Sequence, residues 1–390
     1  MTKVSINTNV LRWAIERAGL SIDILEKDFP KLEDWLSGDL QPTISKVEKL
    51  ARKTRTAFGY FFLKNIPEET LPVPIFRTIG DKPIYTPSPE LLDTVYAMLR
   101  RQDWMREYLI DEKEEPLPFI GSASISTDIK DVVKSIKQTL MLNEEWTAES
   151  EGWLDSIKIL SDAIDNAGIL LVKNGVVGNN PWRKLNIEEF RGFILIDEYA
   201  PLIFVNNVDF EGAKLFTIAH ELAHIWLGKG AVFNLDSLVP FDNDIEKYCN
   251  KVAAEFLVPE KRLRELWVSN LVMNEQTKTL SRRFKVSPLV IARRALDLEF
   301  VNEIEYFRFY RNYKDEIEEI LREKERKRKE RGKKRSGDFY NNQNVRIGKR
   351  FAYAIFIATK EGKIGYRDAF KLTDLYGSTF QEYSQRLGVG

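Results

Sequence analysis

The chain holds only two histidines, His220 and His224, and Glu221 stands between them in the run Phe216-Thr217-Ile218-Ala219-His220-Glu221-Leu222-Ala223-His224. Residues four apart share one face of an α-helix, so both imidazoles can meet a single cation. Glu221 lies one step round and can reach a water held there. A cation of this kind acidifies its water, the carboxylate removes the proton, and the hydroxide attacks a polarised carbonyl. A chance match on an ordinary buried helix is the bland alternative. Against it, both histidines of the chain fall in the motif, and Leu215, Ile218, Ala219, Leu222, Ala223 and Leu227 give the helix an apolar body.

A third protein ligand has to be a carboxylate, because no histidine remains. The segment Asp244 to Pro259 offers Glu246 and Asn250 on one helical face. One can ligate while the other hydrogen-bonds the outer nitrogen of a ligating histidine and fixes its tautomer. Glu255 competes, but it lies nine residues after Glu246, about two and a half turns, so a straight helix cannot aim both at one ion. Asp242 and Asp244 are weaker alternatives, and Glu246 is preferred. Zinc is the expected ion, although His and carboxylate ligands also accept manganese. Cys249, beside this set, reads as a packing residue rather than a ligand or redox switch. With no further histidine to steady an oxyanion, a tyrosine, an arginine or a backbone N–H must do so, and Tyr199 is the residue named for it.

The elements that must position these groups follow from periodicity. Short apolar runs at 168–172, 193–196 and 202–205 are bounded by Gly, Asn, Asp or Pro and predict three strands of a small sheet. Helical patterns precede them at 90–110, 129–142 and 149–167, and follow at 211–228, 243–258, 260–270 and 275–298. Residues 5–64 read as short helices broken by turn signals, the pattern of a helix-turn-helix-type bundle. Six of the fifteen prolines fall between Pro67 and Pro89, which is linker composition. The fold class is therefore α+β and mostly helical. The expected division is a helix-turn-helix-like module at 1–66, a linker and long helix at 67–130, a catalytic domain at 131–300, a charged helix and connector at 301–335, and a helical module at 336–390.

Charges balance at 59 basic and 59 acidic residues, so nucleic-acid affinity would have to be local. One cysteine excludes an internal disulfide and agrees with a reducing cytoplasm. No apolar run approaches the ~20 residues of a spanning helix, so no membrane partner is expected. In the first module the recognition position, residues 31–36, carries one Lys beside Glu33 and Asp34, with no Arg, Asn or Gln for base edges. A protein-contact role is as well supported there as DNA binding. From Arg322 to Arg335 ten Lys or Arg stand against three Glu, a stretch that suits phosphate contact or a solvated, self-paired helix. Phe58, Tyr60, Phe61 and Phe62 read as core.

The HELAH segment and the block EKYCNKVAAEFLVP resemble the ImmA/IrrE family of zinc metallopeptidases. The resemblance implies a zincin-like peptidase domain with Glu246 as third metal ligand and Asn250 beside it. It also implies that Leu202 to Asn207 is a substrate-side edge strand, where Phe204 and Asn206 would meet an extended peptide. Cys249 stands where the family usually has Ala, and Ala223 where Gly is common. Residues 11–53, followed by FGYFFL at 58–63 and LPVPIFRT at 71–78, are similar to the Xre/Cro-type helix-turn-helix that precedes the peptidase in longer members, and the tail past 335 to their helical tails. The implied function is a cytoplasmic regulatory endopeptidase that cleaves a protein, a repressor or similar regulator. The other reading is a DNA-binding regulator or toxin–antitoxin component whose zincin fold senses a ligand with little proteolysis.

Overall fold

The computed structural model describes residues 2–69, 87–229, 231–233, 244–268, 271–330 and 339–389. The proline-rich part of the expected linker, the candidate ligand Asp242 and the end of the basic stretch lie outside these residues. Contacts divide the chain into two units, with the break inside one long helix after Tyr96.

The first unit begins with α1 (Thr8–Arg17), α2 (Ile22–Glu26), α3 (Leu32–Ser37) and α4 (Ile44–Thr54). The Asn7 side chain accepts from the Asn9 backbone N–H and opens α1. Gly38 takes the left-handed conformation that stops α3. The apolar faces bury Leu11, Ile15, Leu25, Phe29, Leu32, Trp35, Val47 and Leu50 in one core. Of the aromatic run only Phe61 is buried; Phe58 and Phe62 are 40% and 43% exposed, so the expectation of a core run is corrected for those two. They pair edge-on at 5.1 Å instead. On α3, Lys31 and Glu33 are exposed and Asp34 is half-buried, leaving the helix with no excess of positive charge toward solvent.

α5 (Pro89–Asp111) runs from the first unit into the second. There α6 (Ile129–Thr139), α7 (Trp146–Glu149) and α8 (Trp153–Asn166) precede the sheet. The strands are β1 (Leu170–Asn174), β2 (Gly192–Leu195), β3 (Leu202–Asn206) and β4 (Ala231–Phe233), in the order β1-β3-β2-β4. β1 runs parallel to β3, pairing Leu170 with Leu202, whereas β2 is antiparallel to both β3 and β4. All three longer strands are buried along their whole length, which is why they read as continuous apolar runs instead of alternating ones. β4 is a three-residue edge strand whose pairing is set by β2, and the sequence carries too little pattern to mark it. The expected edge strand is corrected: β3 is paired on both sides.

α9 (Glu211–Leu227) lies on the sheet and packs against α8 and α10 (Asp244–Leu257). Its 213–227 stretch is buried throughout, and Leu215, Ile218, Leu222 and Ile225 join the main core. Gly228 caps it at φ 63°, and a Cβ there would stand 3.0 Å from the Gly121 Cα. α11 (Glu260–Leu266), α12 (Met273–Phe284) and α13 (Pro288–Asp297) follow. The single helix expected over 275–298 is two, because Lys285 turns left-handed and Ser287-Pro288 starts a new helix, with the Ser287 side chain accepting from the Val290 N–H.

α14 (Glu303–Glu330) is followed by α15 (Phe339–Ile347), α16 (Lys349–Lys360), α17 (Tyr366–Thr373) and α18 (Ser378–Arg386). α15 packs along β1, and the turn into α16 brings Gly348 so close that a Cβ would meet the Leu171 carbonyl at 3.0 Å. Buried Arg101 of α5 ties these helices down by donating to the carbonyls of Leu372 (2.8 Å) and Arg346 (3.0 Å). Gln102 donates to the carbonyls of Leu195 and Ala200 and so closes the β2–β3 hairpin.

A buried polar group sits between α8 and β1, where Lys173 donates to Ser161. Burial raises Asp165 to about 7, opposed by the charge of Lys173, and lowers Lys173 to about 8. Because the folded Asp165 value lies above the unfolded one, its contribution is complete below about pH 4 and is lost as pH rises through about 7. Asp165→Asn removes that loss. Urea denaturation at pH 4.5 and 7.5 should show the variant gaining on the native chain at the higher pH, by on the order of 2–4 kcal/mol. An equal difference at the two pH values would count against a buried, titrating Asp165. Lys173 has the opposite sign and acts above about pH 8, outside this window.

Candidate metal centre

Three side chains from two helices converge in the core of the second unit. α9 supplies His220 and His224, one turn apart, and α10 supplies Glu246 from its first turn. The His220 and His224 Nε2 atoms are 3.1 Å apart. Each lies 3.2 Å from an oxygen of Glu246, Oε2 for His220 and Oε1 for His224. All three residues are buried, and among the described residues they are the group of metal-ligand type.

The triangle has the size a small cation demands. Ligand bonds of ~2.0 Å in a tetrahedron set donor atoms ~3.3 Å apart. The protonation pattern agrees. Asn250, one turn after Glu246, places its Oδ1 3.0 Å from His220 Nδ1. An amide oxygen only accepts, so Nδ1 carries the proton. Burial lowers the His220 pKa even against the pull of Glu246, so the ring is neutral and its Nε2 presents a lone pair. That lone pair faces a second imidazole nitrogen and a carboxylate. Lone pairs and a negative charge pointed at one spot, in the dry core, are what a divalent ion stabilises. The residues fit such an ion.

Glu221 is fully buried, and neither carboxylate oxygen has a hydrogen-bond partner among the described residues. Burial, and then the charge of Glu246, push its pKa well up. Space for it comes from a glycine that no pattern in its own segment singles out. Gly192 opens β2, and a Cβ there would stand 2.7 Å from Thr217 Cγ2, 2.9 Å from the Phe204 carbonyl and 3.2 Å from Glu221 Oε1. The absent side chain lets strand and helix close up around the carboxylate. Its signal was a glycine at the head of an apolar run, which is also an ordinary strand boundary.

The other candidates fall elsewhere. Glu255 accepts from Arg294 and from the Glu260 backbone N–H, which joins α10 to α11 and α13. It faces away from the triangle, as the two-and-a-half-turn spacing requires. Asp244 is exposed beside Lys247. Cys249 is buried, and burial pushes its thiol well up, which leaves it protonated. Phe204 and Asn206 do not meet solvent: Phe204 stacks on Phe193 at 4.8 Å, and the Asn206 side chain donates to the Phe190 carbonyl. Their expected role in peptide contact is corrected, since β3 is interior. Tyr199 sits in the β2–β3 turn, at the end of that hairpin away from Gly192.

Asn250→Ala frees the outer nitrogen of His220 and should weaken metal binding by roughly 10–100-fold. Competition with a chromogenic chelator measures this, and an unchanged affinity would remove Asn250 from the site.

No curated protein matches the chain. Residues 347–386, the last three helices, match a domain of unknown function, DUF8813. Residues 183–296, which carry both helices of the triangle, match the family model Peptidase_M78, the IrrE N-terminal-like domain, and so this part of the chain is similar to a peptidase domain.

Proposed function

We propose that the chain is a zinc-dependent endopeptidase acting on a protein substrate. The observation that carries this reading is the buried triangle of His220, His224 and Glu246 with Glu221 unpartnered beside it. His220, His224 and Glu246 would hold the ion, and Asn250 keeps His220 in the tautomer that ligates. When bound, the ion supplies Lewis acidity, which polarises a peptide carbonyl and makes water acidic. Glu221 takes the proton from the attacking water at its carboxylate and later delivers it to the leaving amine. Its burial in the wall formed by Gly192 and Thr217 keeps bulk water from competing for that proton.

The resemblance to regulatory peptidases of the ImmA/IrrE type supports a repressor or similar regulator as substrate and the cytoplasm as the setting. Among the described residues no helix is long and apolar enough to cross a membrane. Elemental analysis of the purified chain tests the metal. About one zinc per chain is expected, falling close to none in His224→Ala and in Glu246→Ala. A native protein with no metal, or variants that keep it, would remove the reading.

A further inference from the structure

Between the end of α11, the start of α12 and residues 305–312 of α14 lies an open cavity of about 390 Å³. It shares no residue with the His220, His224 and Glu246 triangle or with Glu221. One wall is aromatic, with Trp267 stacked on Phe300 at 5.1 Å, and Leu271, Met273 and Phe309 extend the apolar lining. The polar lining is small and largely unengaged. Gln276 is only 3% exposed, and its Oε1 accepts from the Val268 N–H at 2.8 Å. Its Nε2 has no partner among the described residues and is the one group of that side chain still able to donate. Arg308 likewise makes no hydrogen bond or ion pair among the described residues. Glu305 stands three residues before it on the same face of α14, yet the two do not pair. One oxygen of Glu305 accepts from the Asn302 N–H at 3.0 Å, which turns the carboxylate toward the start of the helix.

This lining sorts the possible guests. A wholly apolar molecule would displace water from Gln276, Glu305 and Arg308 and return no hydrogen bond, which lowers affinity. A simple anion meets Glu305 beside its partner, and a simple cation meets Arg308, so each pays a like-charge repulsion. A zwitterion satisfies both, with its carboxylate on the Arg308 fork and its ammonium on Glu305. The Gln276 amide can add a donor to that carboxylate. The rest of the molecule then lies against Trp267 and Phe300, a surface that favours a ring. The volume falls near the small end of the ~300–1,000 Å³ of small-molecule sites, which suits a single residue better than a chain.

We propose that this cavity binds a free aromatic α-amino acid, held by Arg308 and Glu305 at its charged end and by Trp267 and Phe300 at its ring. The proposal is independent of the peptidase reading. Isothermal titration calorimetry of the intact chain with L-phenylalanine as probe should show one site, with a dissociation constant between about 10 µM and 1 mM. Phenylalaninamide lacks the carboxylate and stands for a peptide N-terminus, whereas N-acetylphenylalanine lacks the ammonium and stands for a peptide C-terminus. L-Alanine lacks the ring. Each of the three should bind at least about tenfold more weakly, the loss of one charge-assisted contact or of the aromatic wall. Arg308→Gln and Glu305→Gln both keep helix propensity, and the second keeps an acceptor for the Asn302 N–H. Arg308→Gln should bind phenylalanine at least about tenfold more weakly and no longer prefer it to phenylalaninamide. Glu305→Gln should weaken it as much and remove the preference over N-acetylphenylalanine. The proposal is overturned if phenylalanine does not bind at about 10 mM, a concentration well above the expected range. It is equally overturned if either variant binds as the native chain does, or if any of the three analogues binds as tightly as phenylalanine.

Discussion

Glu221→Gln is expected to keep its metal and lose its chemistry. The amide has the shape of the carboxylate but cannot accept a proton from water, and removing a general base costs roughly 10²–10⁴ in rate. His220, His224 and Glu246 are untouched, so elemental analysis should still find the ion. The same substitution has an opposite effect on stability. Among the described residues the native carboxylate is buried without a partner, and its pKa is pushed up by burial and by Glu246. A neutral amide at that position avoids the cost of a buried charge. The metal-free variant should therefore melt at a higher temperature than the metal-free native chain, while cleavage of a co-expressed substrate, followed by immunoblot, falls to background. Loss of activity with a gain in stability is a signature that misfolding does not produce. Unchanged cleavage would exclude Glu221 as the base.

Arg294→Ala should be the most damaging change outside the triangle. Arg294 of α13 is buried, pairs with Glu255 near the end of α10, and also donates from Nε to the Val258 carbonyl at 3.2 Å. Truncating it leaves the Glu255 carboxylate buried and unpaired, which costs about 3–5 kcal/mol. Adding Glu255→Gln to Arg294→Ala should recover part of the loss, since it removes the stranded charge. Because α10 also carries Glu246, a looser α10 should weaken metal binding in the single variant. Urea denaturation of the two variants measures the first effect, and chelator competition the second. A loss below ~1 kcal/mol would mean that the pair does not hold α10 in place.

The faces that form the His220, His224 and Glu246 triangle were legible in the sequence because helical spacing alone places His220 with His224 and Glu246 with Asn250. That two different helices bring these faces together is a tertiary fact, and only the match of residue types hinted at it. Glu255 could be set aside on spacing, but its partner Arg294 lies 39 residues away and has no local signature. Three strands were readable as apolar runs, yet their order was not. Buried strands lack the alternation that distinguishes an edge from an interior position, so β3 was expected at the margin and lies inside. The split between α12 and α13 was present as Ser287-Pro288, a strong start signal that the longer helical pattern obscured. Gly192 escaped because its importance depends on what faces it from α9, which no property of its own segment reveals.

The position of β1 has a consequence for anyone isolating the peptidase-like part. Residues 183–296 include β2, β3 and β4 but leave out β1, the strand that pairs with β3 on its other side. They also omit α15, which packs along β1. A fragment trimmed to those limits would bare a row of backbone N–H and C=O groups beside Leu202 to Asn206, a template for pairing with its neighbours and for aggregation. A soluble minimal fragment has to begin upstream of α8 and retain the C-terminal helices, even though neither contributes an atom to the triangle of His220, His224 and Glu246.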